Sequence, residues 1–270
     1  TRYGVLTFGD LFTERQLLAL ITFAHLIASA KNSSSLPVHH LLSLVFDKMA
    51  IQLNAHCRWK ASGESLVDLF GRHALSMVWD FAEATPLGKS TGSWEGAVEW
   101  ISDTAITAAA TFETPGQTSM QDACVSPLSD EAVRIWFTDP PYYDNIPYAD
   151  LSDFFFVWLK RTLGAEILSN LPGTANSVLT PKEREIVWNQ AHIVEGKPKD
   201  KHFFEGAISR ACAEGRRILS EDGVGCVVFA HKTTEGWESL LTGIVNAGWL
   251  ITASWPIATE MATRVSARDS

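Results

Sequence analysis

The stretch Trp136 to Asn145, "WFTDPPYYDN", ends a short apolar run on an acid, two prolines and two tyrosines. Proline has no N–H and a fixed φ, so Pro140 and Pro141 stop a strand and stiffen the chain beyond it. Pro140 also drives Asp139 into an extended conformation, and Pro141 does the same to Pro140. The resulting corner offers the Asp139 carboxylate, a free main-chain carbonyl on Pro140 and the aromatic face of Tyr142. Two acceptors beside a flat ring suit an exocyclic NH₂ on a planar base. The amine donates one hydrogen to Asp139 and one to the Pro140 carbonyl while the base stacks on Tyr142. Such hydrogen bonds draw the nitrogen lone pair out of conjugation, so that the amine can attack an electrophilic methyl group. Stacking of this type contributes about 1–3 kcal/mol per base, and the base must first leave its duplex. Tyr143, Asn145 and the strand-end residue His231 complete the set expected to contact the base. Asp144 and Asn145 have the competing use of capping the next helix, and a Pro-Pro corner can be purely structural.

The elements around this corner change character along the chain. Residues 1–111 read as a mainly helical segment, with "FTERQLLALITFAHLIASA" capped by Thr13 and a second apolar-periodic run opening on serines and Pro37. "SGESLVDLFGRHALSMVWDFAEATP" reads as a third helix and "SWEGAVEWISDTAITAAATF" as a fourth. Residues 112–270 read as α/β. "GQTSMQDAC" is a weak strand, "AVRIWF" a strand, and "YADLSDFFFVWLKRTLG" an apolar helix closed by Gly164. In the polar stretch that follows, "TPKE" at Thr180 predicts a helix start by its capping-box pattern. A helix from about Lys201 to Leu219 leads through a "SEDG" turn into the strand "VGCVVFA". The helix "TEGWESLLTGIVNAG" and a last strand "WLITASWP" follow. Alternation of strand and helix specifies a largely parallel sheet, whose ligands collect at the carboxyl ends of its strands.

With 46% hydrophobic and 20% charged residues among 270, the chain has enough apolar material for a packed core. Four scattered cysteines, with neither a Cys-x-x-Cys pair nor a zinc spacing, favour a reducing, cytoplasmic setting over a disulfide framework. "QLLALITFAHLIASA" is too short and too polar for a bilayer span, so no membrane is expected. The opening "TRYGVL" reads as the middle of a longer protein. A net charge of −9 opposes general nucleic-acid binding while leaving a local basic groove possible, "EGKPKDK" being the most basic stretch near the corner.

Asp-Pro-Pro-Tyr at a strand's end resembles the catalytic motif of the amino-methyltransferases, which methylate adenine N6 or cytosine N4 with S-adenosylmethionine. "TFGDLFTERQLLAL", "CRWKASGESLVDLFGRHALSMVWDFAEATP", "TDPPYYDNIPYADLSDFFFVWLKR", "RRILSEDGVGCVVFAHKTTEGWESLL" and "TASWPIATEMATR" extend the likeness over the chain. Together they resemble the C-terminal part of long prokaryotic adenine-specific DNA methylases, some of which carry a zinc ribbon. The resemblance implies a Rossmann-like S-adenosylmethionine-dependent methyltransferase fold preceded by a helical segment. It implies Asp139, Pro140, Pro141 and Tyr142 as catalytic residues, and Asp122 with Ala123, in "QDA", as cofactor contacts. DNA is the implied partner. The glycine-rich turn such enzymes need after their first strand is absent, Gly223-Val-Gly225 opening a strand instead of following one. The main cofactor motif is therefore expected in a missing N-terminal part of the same protein, leaving this portion inactive alone.

Cytosine N4, RNA and a protein glutamine also present an amine on a planar group. Cytosine C5 chemistry is disfavoured, because it uses a cysteine, usually after proline, and no Pro-Cys occurs. The alternative from another class is a non-catalytic target-binding or docking module of a larger DNA-modification or defence complex.

Overall fold

A computed structural model describes residues 4–67, 69–70, 73–75, 77–111, 114–164 and 178–257. The chain forms two compact units, Thr1–Ser119 with Tyr148–Thr180, and Met120–Pro147 with Pro181–Ser270. The first unit extends past residue 111 to Ser119 and also takes in Tyr148–Thr180, which includes the helix beginning at Tyr148.

The first unit is built on α1 (Glu14–Ser29), α2 (Leu36–Ala50), α3 (Trp94–Thr111) and α4 (Tyr148–Thr162). Thr13 caps α1 reciprocally with Gln16: its hydroxyl accepts from the Gln16 N–H at 3.2 Å, and its own N–H donates to Gln16 Oε1 at 2.9 Å. Pro37 sits in the first turn of α2, where a missing N–H costs nothing. Leu20, Phe46, Met49, Phe154 and Trp158 are buried together, with Phe46 and Trp158 ring centroids 5.2 Å apart. The "DFFFVW" stripe of α4 thus supplies core, and Gly164 at φ +86° closes the helix region.

Among the described residues the predicted third helix does not form. Arg58–Lys60 (β1) and Ser65–Val67 (β2) pair as an antiparallel hairpin, turned through Gly63 and a left-handed Glu64 at φ +43°. Local hairpin pairing outcompetes the apolar periodicity there, and no helix lies among the described residues between Val67 and Trp94. Thr180 starts no helix either. Its hydroxyl donates to Asp153 and its N–H donates to Asp153 Oδ1 at 2.9 Å, so the cap group is held by α4.

The second unit contains a parallel pair, β3 (Val133–Thr138) and β6 (Leu219–Val227), an antiparallel hairpin of β4 (Asn189–Val194) and β5 (Lys197–Lys199), and two helices, α5 (Lys201–Ile218) and α6 (Thr234–Asn246). The architecture is mixed α/β, and among the described residues the parallel sheet has two strands. Val133 pairs with Leu219 and Ile135 with Val224, so the expected "SEDG" turn appears as a bulge inside β6. The β4–β5 hairpin was not foreseen. The expected strand at residues 116–124 is unpaired, because the Asp122 side chain accepts from the Cys124 N–H at 2.9 Å and turns the chain. The expected last strand is absent from the described residues up to 257. Its first residue, Trp249, instead stacks on Trp136 at 5.3 Å and donates from Nε1 to the Cys212 carbonyl at 2.9 Å. The stretch 165–177 and the end of the quoted "TASWPIATEMATR" segment lie outside the described residues.

Close approach fixes α5 on the pair: a Cβ on Gly215 would lie 2.3 Å from the Trp136 ring. Arg217 ties the end of α5 to the strand's approach, donating to Glu214 at 2.7 Å, to Asp130 at 2.6 Å and to the Leu128 carbonyl at 2.9 Å. The Arg217 guanidinium and the Ser126 N–H hold the Glu214 carboxyl down at about 2. The four cysteines are free thiols, and no described helix is long and apolar enough to cross a membrane.

One buried acid makes the stability of the first unit depend on pH. Asp47 on α2 is 8% exposed, its Oδ1 has no partner among the described residues, and burial pushes its carboxyl up to about 8. Between about pH 4 and 8 the folded chain holds a proton that the unfolded chain releases, so stability falls as pH rises through that window. Asp47→Asn should remove this component, raising stability at pH 8 by on the order of 1–3 kcal/mol relative to pH 5. Urea unfolding of parent and variant at both pH values checks it, and an identical pH response in the two would refute it.

Candidate functional site

The strand β3 delivers Asp139 and Pro140 to the carboxyl end of the parallel pair. The ladder runs to its last residue, where the Val228 N–H donates to the Thr138 carbonyl at 2.9 Å. Beyond it the prolines end the pairing. Asp139 is exposed, and its carboxylate makes no hydrogen bond among the described residues. The Pro140 carbonyl likewise accepts none there, whereas the next three carbonyls all do. Pro141 accepts from the Tyr143 N–H at 3.0 Å, Tyr142 from the Asn145 N–H at 2.9 Å and Tyr143 from the Trp188 N–H at 3.1 Å. A tightly bonded turn therefore follows two unengaged acceptors.

Tyr143 anchors this turn. Its φ of +54° is left-handed, a region costing about 1–3 kcal/mol for a bulky residue unless the surroundings over-determine it. They do so here. The ring is 3% exposed and packs edge-on to Phe204 at 5.0 Å and to His231 at 5.5 Å. Its hydroxyl donates to Glu235 Oε1 at 3.4 Å, and burial, reinforced by that carboxylate, pushes the phenol up to about 12. Sequence placed Tyr143 against a base; the structure sets it in the core of the second unit, beneath the corner.

The ring of Tyr142 is half-buried and meets Phe229 at 5.5 Å with a 74° interplanar angle. Phe229 lies just past β6, two residues before His231, and also packs against Trp237 at 5.1 Å. His231 is close by in contact terms: its Nε2 lies 2.9 Å from Asp144 Oδ1, with the imidazole only 5% exposed. Its Nδ1 lies 3.2 Å from the Thr233 N–H and 3.1 Å from the Thr233 hydroxyl, so both ring nitrogens have a polar neighbour. The strand-end residue predicted from sequence thus joins the motif through the residue following Tyr143. Asn145 is exposed and enters through its main-chain N–H.

Phe229, Trp188 and Glu235 were not singled out from sequence. Only the alternation of Phe229 with His231 at a strand's end carried a signal for any of them.

Asp122 and Ala123 do not join this group in any described hydrogen bond or ion pair. Asp122 is half-buried, with Oδ1 held by the Cys124 N–H and Oδ2 lying 3.6 Å from Arg184 Nη1. An acid already engaged on both oxygens is poorly placed to take a cofactor's amine, and no glycine-rich strand-to-helix turn exists among the described residues to cradle one. The residues present do not fit S-adenosylmethionine by themselves. They do fit a flat, amine-bearing group, offering a carboxylate, a carbonyl and a fixed ring.

The comparisons with known proteins add no relative. No family model, curated protein or solved structure matches the chain.

The imidazole depends on a glycine. A Cβ on Gly236 would lie 2.1 Å from His231 Nδ1, so Gly236→Ala should expel the ring from its Asp144 contact. The expected result is a loss of about 1–3 kcal/mol of stability with a changed ring nitrogen resonance for His231. An unshifted resonance would show that the ring does not sit as described.

Proposed function

We propose that this chain forms the target-amine half of an S-adenosylmethionine-dependent DNA amino-methyltransferase, acting on the exocyclic amine of a flipped base, with adenine N6 favoured by the sequence resemblance. One observation carries the reading: among the described residues the Asp139 carboxylate and the Pro140 carbonyl are both unengaged at the end of a parallel strand, while the three carbonyls after them are hydrogen-bonded. An incoming NH₂ satisfies both acceptors at once, and Tyr142, braced by Phe229, offers the surface for its ring. The 2.9 Å contact between Asp144 and His231 is assigned to fixing the turn, with no direct part in the chemistry. S-adenosylmethionine is the methyl donor the reading implies. Its cradle is assigned to another part of the same protein, because Asp122 is engaged elsewhere.

The second reading, a target-binding module without catalysis, draws on the same lack of a cofactor cradle among the described residues. Methyl transfer separates the two. In the full-length protein, Asp139→Ala should abolish incorporation of labelled methyl groups into DNA while leaving the thermal midpoint unchanged. Tyr142→Ala should lower incorporation by at least tenfold and Tyr142→Phe by less than threefold, since stacking of about 1–3 kcal/mol resides in the ring and not the hydroxyl. Full activity in Asp139→Ala would remove the acid from the reaction. Absence of any transfer by the unmodified protein, with retained binding of an adenine-containing oligonucleotide, would favour the module.

A further inference from the structure

The first unit holds a second polar feature, unrelated to the Asp-Pro-Pro-Tyr corner. Between α2 and the segment leading into α3 lies a hollow of about 270 Å³, walled by Lys48 on α2, Gln52 in the turn just past it, the loop "KSTGS" at Lys89 to Ser93, and Trp100 on α3. Among the described residues no carboxylate lines it, although the chain carries 31 acids against 22 lysines and arginines. The ammonium of Lys48 rests over the Trp100 ring, 5.0 Å from its centroid, and Lys89 makes no ion pair among the described residues. Ser90 and Thr91 contribute hydroxyls that donate no hydrogen bond there either. Among the described residues, two lysines without an acidic partner and two hydroxyls that donate to nothing therefore line one small space.

The loop is shaped for this arrangement. Gly92 has φ +81°, and a Cβ on it would lie 2.8 Å from that of Ala84, so only glycine turns the chain here. Three of the first four amides of α3 are already used: Trp94 N–H donates to the Pro86 carbonyl at 2.9 Å, Gly96 N–H to Ser93 Oγ at 3.2 Å and Ala97 N–H to the Ser93 carbonyl at 3.1 Å. The helix end adds the favourable end of its dipole, while the side chains that line the hollow and can contact an anion directly are the lysines, the hydroxyls and Gln52.

We propose that this hollow binds a phosphate group. Compact ammonium charges with hydroxyl donors match a tetrahedral oxyanion. A volume just below the ~300 Å³ where small-molecule sites begin admits a phosphate with its attached sugar, and the Trp100 ring forms a flat wall for the latter. The same chemistry is presented by a free nucleotide and by a nucleic-acid backbone. The site stands apart from the methyl-transfer reading and survives its failure.

Titration of the 270-residue protein with inorganic phosphate, AMP and a short DNA duplex, followed calorimetrically, tests this for the parent, Lys48→Met, Lys89→Met and the double variant. Saturable binding of phosphate and AMP, weakened at least tenfold in each single variant and lost in the double, would establish a free-phosphate site. Binding of duplex alone, with a salt-dependence slope reduced by about 2 in the double variant, would assign it to backbone phosphate. Absence of binding by all three probes, or binding indifferent to both lysines in variants with parental circular dichroism and melting, would overturn the proposal.

Discussion

Tyr143 is the constraint on which the candidate site depends. A bulky side chain in left-handed backbone persists because the ring is locked among Phe204, Trp188 and His231, while the main chain is tied to Pro141 and Trp188. Packing and hydrogen bonding of the second unit thus determine where Asp139 and Pro140 stand. The prolines give the corner stiffness, but the core supplies its direction. Recognition of an amine by two acceptors needs this division of labour, because acceptors that wander would be solvated individually instead of bridged by one donor.

Much of this was legible in the sequence where a signal was local and unopposed. The Thr13 cap, Pro37 in its first turn, the apolar stripe of α4 and the strand "AVRIWF" all appear as their residues dictate. Errors arose where a local pattern met a competing partner. Thr180 carries a helix-start signature, yet Asp153 captures its hydroxyl. Trp249 opens an apolar run suited to a strand, yet its indole finds Cys212 and Trp136. The helical periodicity of residues 62–86 lost to a hairpin whose turn needs only Gly63 and Glu64. At the candidate site, the motif could be read because proline chemistry is local. Phe229 and Glu235 could not, since their roles exist only once β6 and α6 have brought distant residues together.

Charge is distributed in a way that its sum conceals. A chain at −9 still places Lys48 and Lys89 around an acid-free hollow and gathers Glu214, Arg217 and Asp130 into one network at the end of α5. The network is structural, since it fastens the approach to β3. The buried Asp47, by contrast, opposes the fold once it ionises.

The parallel pair itself has a physical consequence for handling the molecule. Trp136 faces α5, yet Ile135, Phe137 and Val224 are 70%, 65% and 65% exposed, so the same short strands are greasy on both sides. With only two strands in register among the described residues, each has an outer rim of amides left to water. In heavy water those rim hydrogens should vanish within moments while the shared rung persists, and concentrated samples should begin to clump at this rim.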